Sequence, residues 1–271
     1  MALRLAVVFP GQGTVGGEVS GEVGEAVRRV VGSGEVPYQL SVFASSVETF
    51  LGLKETGVEP DVVAGHSLGE YAAAYAAGSL GLDDGVWLVA ERDRLMTEAS
   101  RMNPGGMTAI IGVDAREVLG AAGEAGGTVV AANFNTPRQT VISGEEHALE
   151  EVVGRVGGKK RKLPVAGAFH SPLMQEASLA MGSLLVEVPL RDPEIPIVSG
   201  IDGGVLAKAD DVRLALRAQM LSPVRWVAVV ERLAALGVEE VVEAGGGMLV
   251  RMLRDFGDVK VRGRAAKEVL A

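Results

Sequence analysis

The 271-residue chain contains no cysteine. That one absence removes disulfides, thiolate metal sites and a cysteine nucleophile together. Histidine is almost as scarce, with His66, His147 and His170 the only three, too few and too scattered to suggest zinc. Long hydrophobic runs are missing as well. No apolar stretch approaches the ~18 residues of a membrane span. The opening run Leu5-Ala6-Val7-Val8-Phe9 is too short for a signal-peptide core and ends in a Pro-Gly turn. These features point to a cytoplasmic protein without membrane association. Positive charge is in deficit, giving a net charge of −9, which argues against nucleic acid as a partner. An anionic ligand must therefore meet a local basic site.

Hydrophobic residues make up 48% of the chain and charged residues 23%, enough to bury a sizeable core and to exclude disorder. The length suits one large α/β unit or a main domain carrying a smaller one. Residues 4–9 read as a strand, followed by a tight turn at Pro10-Gly11-Gln12-Gly13. A helix is expected over 38–57, a short buried strand over 61–64, and helices over 67–77 and 83–102. Between Met107 and Val165 the expected order is strand, helix, strand, strand, helix, strand, with Asn133-Phe134-Asn135-Thr136-Pro137 as the hairpin turn and the last strand over 161–165. That order is the split β-α-β-β-α-β pattern of a ferredoxin-like module. Helices near 172–186, 209–220 and 223–235 then alternate with strands near 196–198 and 239–243. The expected fold is α/β: a parallel-sheet core formed by residues 1–104 and 172–271, with a ferredoxin-like subdomain inserted over 105–171.

Gly65-His66-Ser67-Leu68-Gly69 matches the Gly-x-Ser-x-Gly nucleophile elbow, and strand-like Val62-Val63-Ala64 before it and helical Glu70-Tyr71-Ala72-Ala73-Ala74 after it supply the context. Flanking glycines permit the sharp turn, and a helix N-terminus favours a developing anion. The plainer alternative is a glycine-lined helix cap. A serine nucleophile needs a base. His66 is adjacent in sequence and should point elsewhere, and His147 sits beside Glu145 and Glu146 on a polar helix. His170 precedes Ser171-Pro172, an N-cap with proline at the first helical position. A positive helix end disfavours its protonated form, which suits a resting base.

Along the helix from Asp83, the apolar stripe Leu88, Leu95, Ala99 and Met102 is interrupted by Arg92. Arg94 lies between Glu91 and Glu98, an ordinary solvated pair. A guanidinium on the apolar side requires an anion: either a carboxylate elsewhere in the chain, or a substrate carboxylate held in a bidentate clamp.

Together these residues resemble the malonyl-CoA:acyl-carrier-protein transacylases of fatty acid and polyketide synthesis. The resemblance spans nearly the whole chain. It rests on Phe9-Pro10-Gly11-Gln12-Gly13, Gly65-His66-Ser67-Leu68-Gly69-Glu70, Arg92, Asn133-Phe134-Asn135-Thr136-Pro137, Gly167-Ala168-Phe169-His170-Ser171 and Gln219-Met220-Leu221-Ser222-Pro223-Val224-Arg225-Trp226. It implies a hydrolase-like core with a ferredoxin-like insert. It further implies a malonyl ester on Ser67, His170 as base and then acid, and Arg92 on the malonyl carboxylate. Gln12 and the Leu68 N–H would form the oxyanion hole, the Gln219 backbone carbonyl would orient His170, and Phe169 would favour malonyl. Malonyl-CoA and acyl carrier protein are the implied substrates, with no cofactor and no metal. The basic run Lys159-Lys160-Arg161-Lys162, entering the strand that leads to His170, offers a contact for the acidic carrier or coenzyme A phosphates, or is simply solvated.

The chain departs from the family in two places. It is short between Gly13 and Tyr38, which bears on rim shape and carrier docking, and Ala244-Gly245-Gly246-Gly247 lacks the usual proline. Three competing functions are a serine thioesterase or esterase, an idle interaction subunit, and a transferase for methylmalonyl or another extender. The first places its histidine late, after an acidic residue, whereas here more than a third of the chain follows His170. The second conflicts with an intact Ser67, His170 and Arg92 set.

Overall fold

The computed structural model describes residues 4–13, 17, 19–257 and 259–271. In chain order the first elements are β1 (Leu5–Phe9), α1 (Gly21–Val31), α2 (Tyr38–Glu55), β2 (Val62–Gly65), α3 (Gly69–Ala76) and α4 (Leu82–Met102). There follow β3 (Gly106–Ile111), α5 (Ala115–Gly123), β4 (Val129–Thr136), β5 (Gln139–Gly144), α6 (Glu146–Arg155) and β6 (Lys159–Lys162). The chain ends with α7 (Gln175–Glu187), β7 (Ile197–Val198), β8 (Val205–Leu206), α8 (Ala209–Ala218), α9 (Trp226–Ala235), β9 (Glu240–Glu243), α10 (Met248–Met252) and β10 (Arg262–Ala265).

The brief apolar runs pair into a six-stranded sheet of order β10-β9-β1-β2-β7-β8. All its neighbours are parallel except β7 and β8. A parallel sheet is covered on both faces, so its strands need no polar alternation. In β1, Val7 and Phe9 enter the principal core beneath α2, α3 and α4, while Ala6 and Val8 pack against Trp226, Val229 and Leu233 of α9. The loops after β1, β2 and β9 therefore emerge at the same, carboxyl edge, where open α/β sheets bind ligands.

The second sheet is antiparallel, in the order β4-β5-β3-β6. This is the ferredoxin-like topology, with Ile110 and Ile142 packed against Val118 of α5 and Ala148, Leu149 and Val152 of α6. Its other face, through Ala109 and Val141, joins the principal core. The two sheets are tied where Phe134 N–H donates to Val224 O at 2.8 Å and Val224 N–H to Ala132 O at 2.8 Å. No helix among the described residues is long and apolar enough to cross a membrane.

Several local expectations are corrected. Asn133 to Thr136 is not a turn: β4 runs through Thr136 with two irregularities in its pairing, and Pro137-Arg138 makes the turn. Residues 223–225 are not helical, because Val224 is spent on bridging β4. The last strand of the insert is the basic run itself rather than 161–165, and all four of its residues are exposed. Met102, placed on the buried stripe of α4, is 59% exposed because the helix there outruns the core. Helix α1 was not expected. It carries Val23, Ala26 and Val27 into the core at helical spacing, a signal masked by Gly21 and Gly24, poor helix formers. It lies within the short region between Gly13 and Tyr38, of which residues 14–16 and 18 lie outside the described residues.

Candidate active site

Ser67 sits where β2 turns into α3, and glycine on each side is a steric requirement. A Cβ on Gly65 would come within 2.2 Å of the Glu70 N, and one on Gly69 within 2.1 Å of the Phe9 O. The turn holds Ser67 at φ 52°, and His170 has φ 56°. They are the only non-glycine residues with positive φ among those described, a strained backbone region that costs stability and gathers at functional sites. These two strained residues meet: Ser67 Oγ lies 2.7 Å from His170 Nε2.

His170 is positioned from behind. Ser171 caps the short helical turn Pro172–Met174 leading into α7, its Oγ accepting the Leu173 N–H at 3.2 Å and donating to Ala168 O at 2.6 Å. His170 Nδ1 faces two carbonyls, Gln219 O and Ser222 O, each at 3.0 Å. Carbonyls only accept, so Nδ1 carries the proton and the Nε2 lone pair points at the serine. Burial and then the Arg92 charge push the His170 imidazole down to about 4, so it is neutral near pH 7. His66 points away, its Nε2 2.9 Å from Asn135 Oδ1, and His147 is exposed.

Arg92 has 0% exposure. Its Nε donates to Gln219 Oε1 at 3.2 Å, its Nη1 to Gln39 Oε1, and its Nη2 to Ser67 Oγ at 3.2 Å. Its guanidinium carbon lies 5.9 Å from the centre of the Tyr71 ring. All these partners are neutral. Tyr71 supplies no countercharge, since burial pushes its hydroxyl up to about 12. No carboxylate among the described residues forms a salt bridge with Arg92, although Glu70 and Asp93 act on it from further off and favour its charge; the guanidinium lies buried beside the serine. Arg94 makes the surface pairs expected of it, with Glu91 at 2.9 Å and Glu98 at 3.2 Å.

Gln219 is the hub. Besides its backbone bond to His170, its Nε2 donates to Ser67 O at 2.9 Å and to Glu70 Oε2. Glu70 Oε1 accepts the Gly200 N–H at 2.9 Å. Burial raises the Glu70 carboxyl to about 7 against the opposing pull of Gln219, the Gly200 N–H and Arg92, with Asp202 adding to the rise. The Leu68 N–H, at the head of α3, has no acceptor among the described residues. Gln12 lies in the turn after β1, half-buried, and a Cβ on the preceding Gly11 would sit 2.6 Å from His66 O. Phe169 is buried in the principal core.

The basic strand β6 is not in this constellation. Its register divides it: Lys160 and Lys162 pair with Ile110 and Thr108 on the α5–α6 face, where Lys162 reaches Glu146 at 2.8 Å. Lys159 and Arg161 pair with Ile111 and Ala109 on the face turned to the large sheet. Sequence reasoning missed Gln39, Glu70 and Ser222. Glu70 had a signal, a carboxylate opening the small-residue helix Tyr71-Ala72-Ala73-Ala74. Ser222 stood in the Gln219–Trp226 motif with no role assigned to it, and Gln39 had no signal.

A serine and histidine held in strained backbone beside a buried arginine form a constellation suited to acyl transfer. The comparisons agree. Residues 31–252 match the acyl transferase domain family. The malonyl CoA-acyl carrier protein transacylase of Bacillus subtilis is 36% identical over 219 residues, covering 78% of this chain and 69% of the relative. Among solved structures, the transacylase of the same name from Coxiella burnetii superposes with a TM-score of 0.88 at 29% identity, covering 100% of this chain and 96% of that one. A malonyl-transacylase solved in complex with a type II polyketide acyl-carrier protein also gives 0.88, at 29% identity and 97% and 95% coverage. By its elbow, its buried arginine and its likeness over the full fold, the chain belongs to the malonyl CoA-acyl carrier protein transacylase family.

Proposed function

We propose that the protein transfers a malonyl group from malonyl-CoA to the phosphopantetheine thiol of acyl carrier protein through an ester on Ser67. The observation that carries this is the pairing of Ser67 Oγ with His170 Nε2 at 2.7 Å while Arg92 Nη2 stands 3.2 Å from the same oxygen. In the first half-reaction His170 Nε2 takes the Ser67 proton as Oγ attacks the thioester carbonyl. The Leu68 N–H and Gln12 receive the developing oxyanion, the C–S bond breaks, and His170 returns the proton to the departing coenzyme A thiolate. In the second, His170 deprotonates the carrier thiol, sulfur attacks the serine ester, and the proton goes back to Ser67 Oγ. Gln219 O and Ser222 O stabilise the imidazolium formed in each half, so no acidic triad member is needed. Arg92 pairs with the malonyl carboxylate, and Phe169 shapes the acyl pocket beside His170. No cofactor takes part, and the cytoplasm, where coenzyme A thioesters meet carrier protein, is the proposed compartment.

The test is Ser67→Ala, assayed for malonyl transfer to holo carrier protein. Transfer should vanish, and substantial residual transfer would rule out the covalent route.

A further inference from the structure

Glu70 is a buried ionisable group at the site that the transfer chemistry does not consume. Its two oxygens are both engaged, Oε1 by the Gly200 N–H at 2.9 Å and Oε2 by Gln219 Nε2. The other Nε2 hydrogen of Gln219 goes to Ser67 O at 2.9 Å. With both amide hydrogens directed this way, Gln219 Oε1 is left facing Arg92 Nε at 3.2 Å. An amide is nearly symmetric in shape, so packing alone does not choose its orientation. A flipped Gln219 would set its NH2 against the guanidinium and its oxygen against the Glu70 carboxylate. The Glu70 carboxylate, together with the Ser67 carbonyl, therefore sets which end of Gln219 meets Arg92.

We propose that Glu70 is a positioning residue for acyl selectivity: acting through the Gln219 side chain, it fixes the Arg92 guanidinium where a malonyl carboxylate binds. The inference rests on the proposed roles of Ser67 and Arg92. The histidine is anchored by the Gln219 backbone rather than by this amide, so an acyl group without a carboxylate should depend on Glu70 far less. Ionised Glu70 is the form that accepts from two donors at once, and protonation weakens that hold. The charged groups acting on it are Arg92 of α4, which favours the ion, and Asp202 in the loop after β7, which opposes it, with its neighbour Tyr71 un-ionised.

The experiment compares Ser67 acylation by malonyl-CoA and acetyl-CoA in the wild type and in Glu70→Gln, from about pH 5 to 9, with melting temperatures alongside. In the wild type the malonyl-to-acetyl ratio should rise as pH passes upward through about 7, the value to which burial brings Glu70. Glu70→Gln puts an amide against an amide and a backbone N–H, so one of these contacts must become donor against donor. Its ratio should be about 10- to 100-fold lower, the scale of a hydrogen bond to a charged group, and flat with pH. A variant that melts earlier yet keeps the wild-type ratio and its pH dependence overturns the inference, leaving Glu70 structural. If the variant does not fold, the wild-type profile decides, and a ratio unchanged through pH 7 overturns the inference equally. Failure of the wild type to form malonyl-Ser67 at all would instead overturn the functional reading.

Discussion

Truncating Arg92 to alanine should remove any preference for a malonyl over an acetyl thioester. The guanidinium has 0% exposure, and burial is the main influence lowering its pKa. Its hydrogen bonds go to two amide oxygens and a hydroxyl, while the Glu70 carboxylate acts on it from behind Gln219 without direct contact. A malonyl carboxylate entering the site would pair with it directly and, without Arg92, would be stranded. Removing one partner of such a buried pair costs about 2–5 kcal/mol, or roughly 30- to 5,000-fold in rate at 1.36 kcal/mol per decade. Acetyl-CoA has no carboxylate, so its acylation of Ser67 should be spared or improved. Stability responds in two opposing ways, since Gln39 and Gln219 lose a donor while the core loses a buried cation. The ratio of the two substrates is therefore the quantity to measure, by intact mass of the acyl-enzyme over time. A preserved malonyl preference in Arg92→Ala would refute the clamp and reduce Arg92 to a structural link between α2, α4 and Gln219.

Other outcomes follow from the same geometry. His170→Ala should slow both half-reactions by about 10²- to 10⁴-fold, measured as separate single-turnover rates of acylation and carrier-dependent deacylation. Because His170 is depressed to about 4, acylation by acetyl-CoA should hold as pH falls through the ordinary histidine range and decline only as pH approaches that value. A midpoint near 6.5 would show the imidazole to be unperturbed. On β6, charge reversal of Lys159 and Arg161, on the face turned to the large sheet, should raise the carrier KM roughly 10-fold and flatten its salt dependence. Reversal of Lys160 and Lys162, on the α5–α6 face, should do neither, and equal effects from both pairs would dismiss a directed docking role.

Much of the architecture was legible because it rests on local patterns. The short apolar runs that become β1, β2 and β9 and the stripe on α4 are readable from periodicity alone, and the ferredoxin-like order follows from alternation between Met107 and Val165. What stayed hidden depends on tertiary context. Strand β10, Arg262–Ala265, has no apolar run, and pairs only because β9 offers an open edge. The 133–136 segment carries turn-forming asparagines, yet is extended because Val224 and β5 pair with it from two sides. At the site, Ser67 was marked by glycines, His170 by its helix cap, and Arg92 by a charge in an apolar stripe. Gln39 belongs to no such pattern, and Ser222 sits in the Gln219–Trp226 motif with nothing to mark its carbonyl; both roles exist only where distant segments meet. Glu70 stood directly after the elbow motif, but its partners at Gly200 and Gln219 lie 130 and 149 residues away.

The most direct measurement is of the acyl-enzyme. The protein is mixed with malonyl-CoA, freed of nucleotide by rapid gel filtration, weighed intact, and then chased with holo carrier protein. The account predicts a single malonyl adduct, mapped to Ser67, that disappears on the chase as an equal amount of malonyl carrier protein forms. An adduct-free protein that still transfers malonyl when both substrates are present together would contradict it.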